Sequence, residues 1–262
     1  MAGIKKNIYR KYNLLFRLLN PIIDLRRLYM SIPAYVRFFK SFIQYRKQSG
    51  KEKPAFRNLY PCLYDNTATT VFDRHYVYHP AWAMRTIRKI NPEFHIDISS
   101  TLHFSTMLSA FLPVKFYDFR PPVLLLPDLE VGHADLKNLK FQTESIKSLS
   151  CMHTIEHIGL GRYGDPIDPE GDIRAINELS RVTCPGGHLL IVVPVGIQKV
   201  QFNGQRTYSY DWIVTKFDDF ILREFSLIPD NKNSGIIWDA DPQTVILQEN
   251  GCGCFWFQKV SQ

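Results

Sequence analysis

The chain segment 145–196 constrains the fold more than any other part of the sequence. A short apolar run at 149–152 is followed by apolar residues at helical spacing, 173–182, and then by an unbroken aliphatic run at 189–193. A Pro-Gly-Gly turn separates the last two. This order predicts a β-strand, an α-helix and a second β-strand parallel to the first, with both strands buried.

Polar side chains directly follow the first of these strands: His153, Glu156 and His157. Ligands of open α/β sheets bind beyond the carboxyl ends of the strands, so these side chains are expected to face a ligand. Histidine titrates near neutrality, which suits a general base. We predict that His153 and His157 are catalytic. The alternative is that Glu156 and His157 only stabilise the start of the next helix.

A similar pattern precedes this unit. Apolar strands at 94–99 and 114–119 flank a segment of helical spacing at 102–111, and the strands carry Asp97 and Asp118. The two aspartates are 21 positions apart. This approximates the interval of roughly 20 residues in dinucleotide-binding units, where the second acid binds ribose hydroxyls. We predict this role for Asp118; the alternative is a surface acid in a turn.

The sequence TIEHI, followed by ELSRVTCPGGHLLIVVPVG, resembles the signature "LEHI … RVLKPGGRLLISVP" of class I S-adenosylmethionine (SAM) methyltransferases. Asp135, Leu139, Phe141 and Ser145 are similar to that family's "GDAxxLPFxxxSFD" run, although Lys147 replaces an aspartate. The resemblance implies a Rossmann-like α/β fold with a seven-stranded, mostly parallel sheet, and it implies SAM as the cofactor. In that family the acid at the end of the second strand binds the ribose of SAM, which matches the second aspartate named above.

The loop after the first strand departs from that family. Class I methyltransferases read DxGxGxG there, because glycine adopts positive φ and lets the backbone approach the cofactor. Here Asp97 is followed by Ile-Ser-Ser-Thr-Leu-His, without glycine. The hydroxyl residues of this run, Ser99, Ser100 and Thr101, still offer N–H groups and hydroxyls to the aminocarboxypropyl end of SAM. The loop is nevertheless more crowded than usual. The predicted cofactor-binding residues are Asp97, Ser99, Ser100, Asp118 and Asp135.

A closer resemblance is to a family catalogued as domain of unknown function number 268. It rests on HIDISSTLHFSTMLSAFLPV, FYDFRP, SCMHTIEHIGLGRYGDPIDPEGD and VPVGIQKVQFNGQRTYS, and it covers roughly residues 60–260. That family also has a glycine-poor first motif and is regarded as methyltransferase-like. The resemblance implies a fold and a cofactor class, but no substrate.

Two loops, 159–169 and 201–209, are expected on the acceptor side of the sheet. Their polar side chains suit a polyhydroxylated or charged acceptor, and arginine binds a carboxylate or phosphate bidentately. The predicted substrate-binding residues are Arg162, Asp165, Asn203 and Arg206. The alternative for the first loop is a rigid connector in which an aspartate caps the next helix.

Basic residues are concentrated at the N-terminus. Residues 1–53 contain 13 Lys and Arg and two acids, a net charge of +11, whereas the whole chain carries +7. Basic and apolar residues are interleaved as in amphipathic helices, which Pro21 and Pro33 are expected to interrupt. No apolar run reaches the roughly 18 residues of a membrane-spanning helix, and Arg17 interrupts the apolar centre that a secretory signal needs. We predict a helical extension, 1–53, and a methyltransferase-like domain, 54–262.

The basic extension has two interpretations: attachment to an anionic membrane surface, or a helical cap packed on the domain with a solvated basic face. Nucleic-acid binding is disfavoured because the rest of the chain is mildly acidic and carries no recognisable nucleic-acid motif. The five cysteines are odd in number and mostly lie in apolar runs, which indicates a reducing compartment. We expect a cytoplasmic protein, with any membrane attachment at the inner surface.

Candidate metal ligands occur in two places. The Cys252-Gly-Cys254 pair lacks a second ligand pair nearby. Asp73, His75 and His79 alternate with aromatic residues, as on a half-buried surface. We therefore predict no metal site.

These observations favour a SAM-dependent methyltransferase acting on a small-molecule or glycan-like acceptor. The alternative is a catalytically silent methyltransferase-like module that binds a membrane surface or a protein partner, which the glycine-less loop favours. A third hypothesis, an enzyme of the same fold using another nucleotide such as NAD, is disfavoured by the signature after the fourth strand.

Overall fold

A computed structural model of the chain describes residues 18–19, 21–22, 24–50 and 53–261. Two compact units divide the chain, Met1–Val71 and Phe72–Gln262. The domain boundary expected after residue 53 stays a prediction. None of the helices in the described ranges combines the length and the apolar character that crossing a membrane requires.

The first unit is built around a long helix, α1 (Leu25–Gln48). The Asp24 carboxylate caps its start by accepting a hydrogen bond from the Arg27 backbone N–H at 2.9 Å. Pro21 lies in a turn before the helix, but α1 continues through Pro33, so the interruption predicted there is wrong. Proline removes one backbone donor, and the helical hydrogen bonds on both sides of it hold the backbone in place.

Residues after α1 fold back along it. A short 3₁₀ helix, Phe56–Asn58, packs its first ring against Phe42 with centroids 5.1 Å apart. The Tyr64 hydroxyl donates a hydrogen bond to the Arg27 carbonyl at 3.1 Å. A stripe of apolar side chains at intervals of three and four residues along α1 remains exposed: Leu28, Ile32, Tyr35, Phe39 and Ile43.

The second unit carries the sheet. Its strands are β1 (His95–Ile98), β2 (Val114–Asp118), β3 (Leu129–His133), β4 (Ile146–Met152), β5 (Thr183–Val195), β6 (Lys199–Val200), β7 (Arg206–Thr207), β8 (Phe220–Ile228) and β9 (Gly251–Lys259). Seven of them form one sheet in the order β3-β2-β1-β4-β5-β9-β8, and β6 pairs with β7 separately. The first five strands in this order are parallel to one another, and β9 runs antiparallel to both of its neighbours, β5 and β8. The predicted seven-stranded, mostly parallel sheet is confirmed.

Helices cover both faces of this sheet: α2 (Arg74–Ile90), α3 (Leu102–Leu108), α4 (Gly171–Val182) and α5 (Tyr210–Lys216). Alternate residues of β5 belong to two different cores. Leu189 and Ile191 pack in the core with Leu179 of α4, while Leu190 and Val192 pack in the core of α2 and α3. An unbroken aliphatic run is what a strand buried on both faces requires.

The Pro-Gly-Gly segment is part of β5 and not a turn before it. Pairing with β4 passes from Ile146 opposite Thr183 to Ser148 opposite His188, so the segment forms an irregular bulge. Gly186 has φ +74°, and a Cβ on Gly187 would lie 2.8 Å from a backbone oxygen. Glycine is needed at both positions because a side chain would strain the bulge.

The strand order places a ligand crevice between β1 and β4. Along the chain, connections from β1 proceed first to one side of the sheet and then, from β3, across to β4 on the other. Loops after these two strands diverge at their carboxyl ends and leave space between them. Residues after Ile98 and Met152 are therefore expected to line a pocket.

Candidate functional site

A pocket of about 220 Å³ opens at the carboxyl ends of β1, β2, β3 and β4. It is formed by the residues that follow these strands and by part of the loop before α4. Its lining comprises Ser99, Asp118, Phe119, Arg120, Ala134, Asp135, Leu136, Lys137, His153, Thr154, His157, Ile158, Tyr163, Asp165 and Pro166.

The glycine-less loop after β1 leaves this pocket open. Ser99 adopts φ +56°, a left-handed conformation that costs a non-glycine residue roughly 1 kcal/mol. Its N–H donates to the Tyr117 carbonyl at 2.7 Å, and its carbonyl accepts from the Thr154 hydroxyl at 2.8 Å. The Ser100 hydroxyl accepts from the Met152 N–H at 3.1 Å and is not part of the lining. A serine therefore takes a backbone conformation that glycine adopts more readily.

Two predicted carboxylates border the pocket with acceptor oxygens to spare. One oxygen of Asp118 accepts from the Arg120 backbone N–H at 2.7 Å, and one oxygen of Asp135 accepts from the Lys137 N–H at 2.9 Å. These local bonds fix both side chains in turns after the strands. Among the described residues, the second oxygen of each carboxylate has no hydrogen-bond donor. Each is available to a ligand hydroxyl or amino group.

Asp97 lies beneath the pocket and is fully buried. Its two oxygens accept from the Ser105 and Ser150 hydroxyls, each at 2.5 Å. Burial raises the pKa of this carboxyl to about 6. The side chain ties β1 to α3 and β4 and does not line the pocket. Its assignment to the cofactor stays a prediction, and the contacts seen are internal ones.

His153 borders the pocket but has both ring nitrogens engaged. Nδ1 donates to Oε1 of Glu156 at 2.8 Å, because a carboxylate only accepts, and Nε2 lies 3.4 Å from the Cys252 sulfur. The side chain is 6% exposed. Burial lowers the pKa of His153, but the Cys252 sulfur and the Glu156 carboxylate outweigh it and raise the pKa to about 10. Its catalytic role stays a prediction, and its ring has no nitrogen free for an acceptor.

His157 lies in the short 3₁₀ helix Ile155–His157 and also lines the pocket. Its Nδ1 donates to the Gly204 carbonyl at 2.7 Å, which leaves the lone pair on Nε2. Burial lowers the pKa of His157, so its ring is neutral near pH 7. Nε2 lies 3.8 Å from the Glu156 carboxylate, beyond hydrogen-bond distance. His157 is the histidine of the pocket with an unengaged basic nitrogen.

The loop before α4 is shaped by Asp165. Its carboxylate accepts from the Gly159 N–H at 2.7 Å and from the Tyr163 N–H at 3.3 Å, and it borders the pocket. Gly159 has φ +78°, and a Cβ there would lie 2.0 Å from the Asp168 carbonyl oxygen. Arg162 does not line the pocket; its guanidinium stacks 5.1 Å from the Tyr163 ring centroid.

The two predicted acceptor residues after β5 do not line the pocket. Arg206 is buried; it donates to the Ile158 carbonyl at 2.7 Å and lies 3.3 Å from the Asp172 carboxylate. It holds the loop before α4 in place. Asn203 is exposed in the turn between β6 and β7. The acceptor-binding roles of Asn203 and Arg206 stay predictions. Of the four residues predicted to bind the acceptor, Asp165 is the one that lines the pocket.

Sequence reasoning missed several lining residues. Phe119 and Arg120 directly follow Asp118, and the Arg120 guanidinium lies 4.7 Å from the centroid of Tyr163. Lys137 likewise follows Asp135. Their position just after a predicted carboxylate at the end of a strand or beyond it was the available signal, since such residues reach the same crevice.

The chain matches the family described as "Caenorhabditis protein of unknown function, DUF268" over residues 132–222. This match confirms the resemblance seen in the sequence, over less than half of the chain. No curated protein matches the sequence.

Two solved structures are similar in fold. One is "a putative sarcosine dimethylglycine methyltransferase from Galdieria sulphuraria", with a TM-score of 0.50, 10% identity and coverage of 70% of this chain and 85% of that chain. The other is the MccD protein, with a TM-score of 0.50, 12% identity and coverage of 71% and 100%. At this identity the likeness shows the fold, which is that of class I SAM-dependent methyltransferases.

Proposed function

We propose that the chain is a SAM-dependent methyltransferase acting on a small-molecule or glycan-like acceptor. The observation that carries this proposal is the pocket at the carboxyl ends of β1, β2, β3 and β4, where Asp118 and Asp135 each keep one oxygen without a donor among the described residues. The methyltransferase fold supports it. SAM supplies a methyl group on a positively charged sulfonium.

The donor set of the pocket fits SAM. Ribose hydroxyls and an adenine amino group need acceptors, which the free oxygens of Asp118 and Asp135 provide. The exposed side chain of Phe119 offers aromatic surface for a purine ring. Ser99 presents its backbone at the pocket in the conformation that glycine usually supplies.

Acceptor deprotonation is assigned to His157. Its neutral ring keeps the Nε2 lone pair, whereas both nitrogens of His153 are engaged. A base must lie within hydrogen-bond reach of the proton that it takes, and His157 borders the pocket as required. The acceptor approaches beside Asp165 and Tyr163, where the loop before α4 forms the wall.

Calorimetric titration of the full chain with SAM and with S-adenosylhomocysteine tests the proposal. Asp118→Ala removes a charged acceptor worth about 1.5–3 kcal/mol, so binding of both ligands should weaken by about tenfold to hundredfold. Asp218→Ala is the matched control, because Asp218 is an exposed aspartate outside the pocket. No binding by the unmodified chain, or equal binding by both variants, would contradict the proposal.

A second candidate function is a catalytically silent module held at a membrane surface. The observation that favours it is the exposed apolar stripe of α1, in a helix that also carries Arg27, Arg37, Lys40, Arg46 and Lys47. Apolar insertion and attraction to anionic lipids together give surface binding, with about 1 kcal/mol for each basic residue near the surface.

Co-sedimentation with vesicles tests this second candidate. Full-length protein should bind phosphatidylserine-containing vesicles and not purely zwitterionic ones, and Ile32→Glu with Phe39→Glu should weaken binding at least tenfold, because both side chains belong to the stripe. Leu125→Glu, an exposed residue of the second unit, is the control. Binding that is independent of lipid charge and of the double substitution would exclude α1 as the contact.

A further inference from the structure

Three side chains from distant parts of the sequence meet beside the pocket. His75 lies in the first turn of α2, His153 follows β4, and Cys252 lies in β9. One ring nitrogen of each histidine and the cysteine sulfur all lie within 4.8 Å of one another. These three residues are called the His-His-Cys cluster below. Nothing in the reaction proposed above uses it.

One distance within the cluster matches that between two ligands of the same ion. Nε2 of His153 lies 3.4 Å from Sγ of Cys252. A nitrogen and a sulfur bound at about 2.05 Å and 2.3 Å to a tetrahedral Zn²⁺ lie about 3.5 Å apart. The rings of His75 and His153 are nearly parallel, with centroids 5.6 Å apart. Because the three ligand atoms lie within 4.8 Å of one another, small shifts of the side chains would bring all three around one cation.

Glu156 orients His153 as a metal ligand. Its buried carboxylate accepts from Nδ1 of His153 at 2.8 Å, which directs Nε2 toward the sulfur. Metal-binding histidines usually donate their second ring N–H to a carboxylate or carbonyl in this way. The second oxygen of Glu156 is buried and has no hydrogen-bond partner among the described residues.

A further imidazole adjoins the cluster without a partner. Nδ1 of His79 donates to the His75 carbonyl at 2.6 Å, so its lone pair is on Nε2. That nitrogen is buried and has no partner within the described part of the chain, and its ring centroid lies 5.0 Å from that of His153. An unpartnered buried polar atom is destabilising, and a nearby ligand or ion-bound water would satisfy it.

A divalent cation also balances the local charge. The carboxylate of Glu156 is fully buried, and Cys252 is buried as well. Metal binding deprotonates a cysteine. In the bound state the two negative charges of the Cys252 thiolate and the Glu156 carboxylate therefore balance the two positive charges of the cation. The balanced cluster avoids the cost of an isolated buried charge.

We propose that His75, His153 and Cys252 form a binding site for one Zn²⁺ ion. Two imidazoles and a thiolate select Zn²⁺ over Mg²⁺ or Ca²⁺, which prefer oxygen ligands. Three protein ligands leave a fourth position for water beside His79. Since His153 borders the pocket, the ion fixes one wall of it and His153 acts as a ligand and not as a base.

Cobalt substitution of the full chain tests this site in the absence of SAM. One equivalent of Co²⁺ should give the visible absorption of tetrahedral cobalt and an ultraviolet thiolate-to-cobalt band. Cys252→Ser should abolish the thiolate band and weaken binding at least tenfold. Cys62→Ser, which alters an exposed cysteine, should change neither.

Two further variants keep the proposal falsifiable if Cys252→Ser does not fold, as circular dichroism would show. His75→Gln, at a partly exposed helix start, should weaken Co²⁺ and Zn²⁺ binding at least tenfold. Glu156→Gln should weaken it about tenfold to hundredfold with the thiolate band retained. Absence of the band in the unmodified chain, or equal metal affinity in the folded variants, would overturn the proposal.

Discussion

Two loops at the same edge of the sheet share a backbone conformation and differ in what their side chains do. Ser99 after β1 and His153 after β4 have φ values of +56° and +55°. The serine side chain is small and leaves the pocket open. The histidine side chain is locked by Glu156 and Cys252. With the same left-handed backbone, the small side chain of Ser99 leaves space for a ligand, whereas the hydrogen-bonded side chain of His153 forms a rigid part of the pocket wall.

The largest effect on stability is expected from removing the contact that holds His153 in place. Glu156→Ala removes the buried partner of His153, and breaking a buried charged pair costs about 3–5 kcal/mol of unfolding free energy. Glu156→Gln keeps an oxygen that accepts from Nδ1, so its loss should be smaller. Denaturant unfolding measures both. A Glu156→Ala variant as stable as the unmodified chain would mean that the histidine is not locked.

Glycine substitution in each loop separates backbone strain from side-chain contacts. Ser99→Gly relieves a strain of roughly 1 kcal/mol, so the unfolding free energy should stay constant or rise by up to about 1 kcal/mol. His153→Gly relieves the same strain but loses the contacts of the ring, so the unfolding free energy should fall by about 2 kcal/mol. Thermal and denaturant unfolding provide the values. Equal changes of the unfolding free energy in the two variants would show that the side chains of the two loops contribute alike.

A pH-dependent effect concerns the residues beneath the first loop, where Asp97 and His95 both contact Ser150. Burial lowers the pKa of His95 to about 3 and raises the pKa of Asp97 to about 6. The His95 contribution to stability is present above pH 6.5 and is lost as the pH falls toward 3. The Asp97 contribution is present below pH 3.8 and is lost as the pH rises through 6.

The two contributions oppose each other between pH 4 and 6. Relative to the unmodified chain, His95→Gln should gain stability as the pH falls through this range, by about 1 kcal/mol per pH unit. Asp97→Asn should lose stability over the same range by a similar amount. Unfolding titrations at a series of pH values measure both slopes, and slopes of the same sign in the two variants would refute the assigned pKa shifts.

Local patterns made most of the sheet predictable. The aliphatic run of β5 and the helical spacing of α4 are set by burial on both faces of a central strand, and this periodicity is visible in sequence. Strand ends marked by Asp118 and Asp135 gave the position of the pocket. The extent of β5 was less accessible, because Pro185 and Gly186 indicate a turn as readily as a bulge.

Tertiary pairing accounts for what the sequence did not predict. His75 lies in a helix, His153 in a loop and Cys252 in β9, the strand next to the sheet edge. No local sequence spacing indicates that they lie together. Arg206 appeared free for an acceptor, yet a carboxylate on α4 and two carbonyls engage it inside the protein. The conformation of Ser99 was hidden because serine seldom adopts positive φ.

A crystal structure of the chain with S-adenosylhomocysteine would show directly whether this pocket binds the cofactor. We expect the ligand in the pocket at the ends of β1, β2, β3 and β4, with ribose hydroxyls donating to Asp118 and the chain backbone at Ser99 against the amino-acid end. A ligand bound elsewhere, or a pocket that stays empty at saturating concentration in crystals that admit solvent, would contradict it.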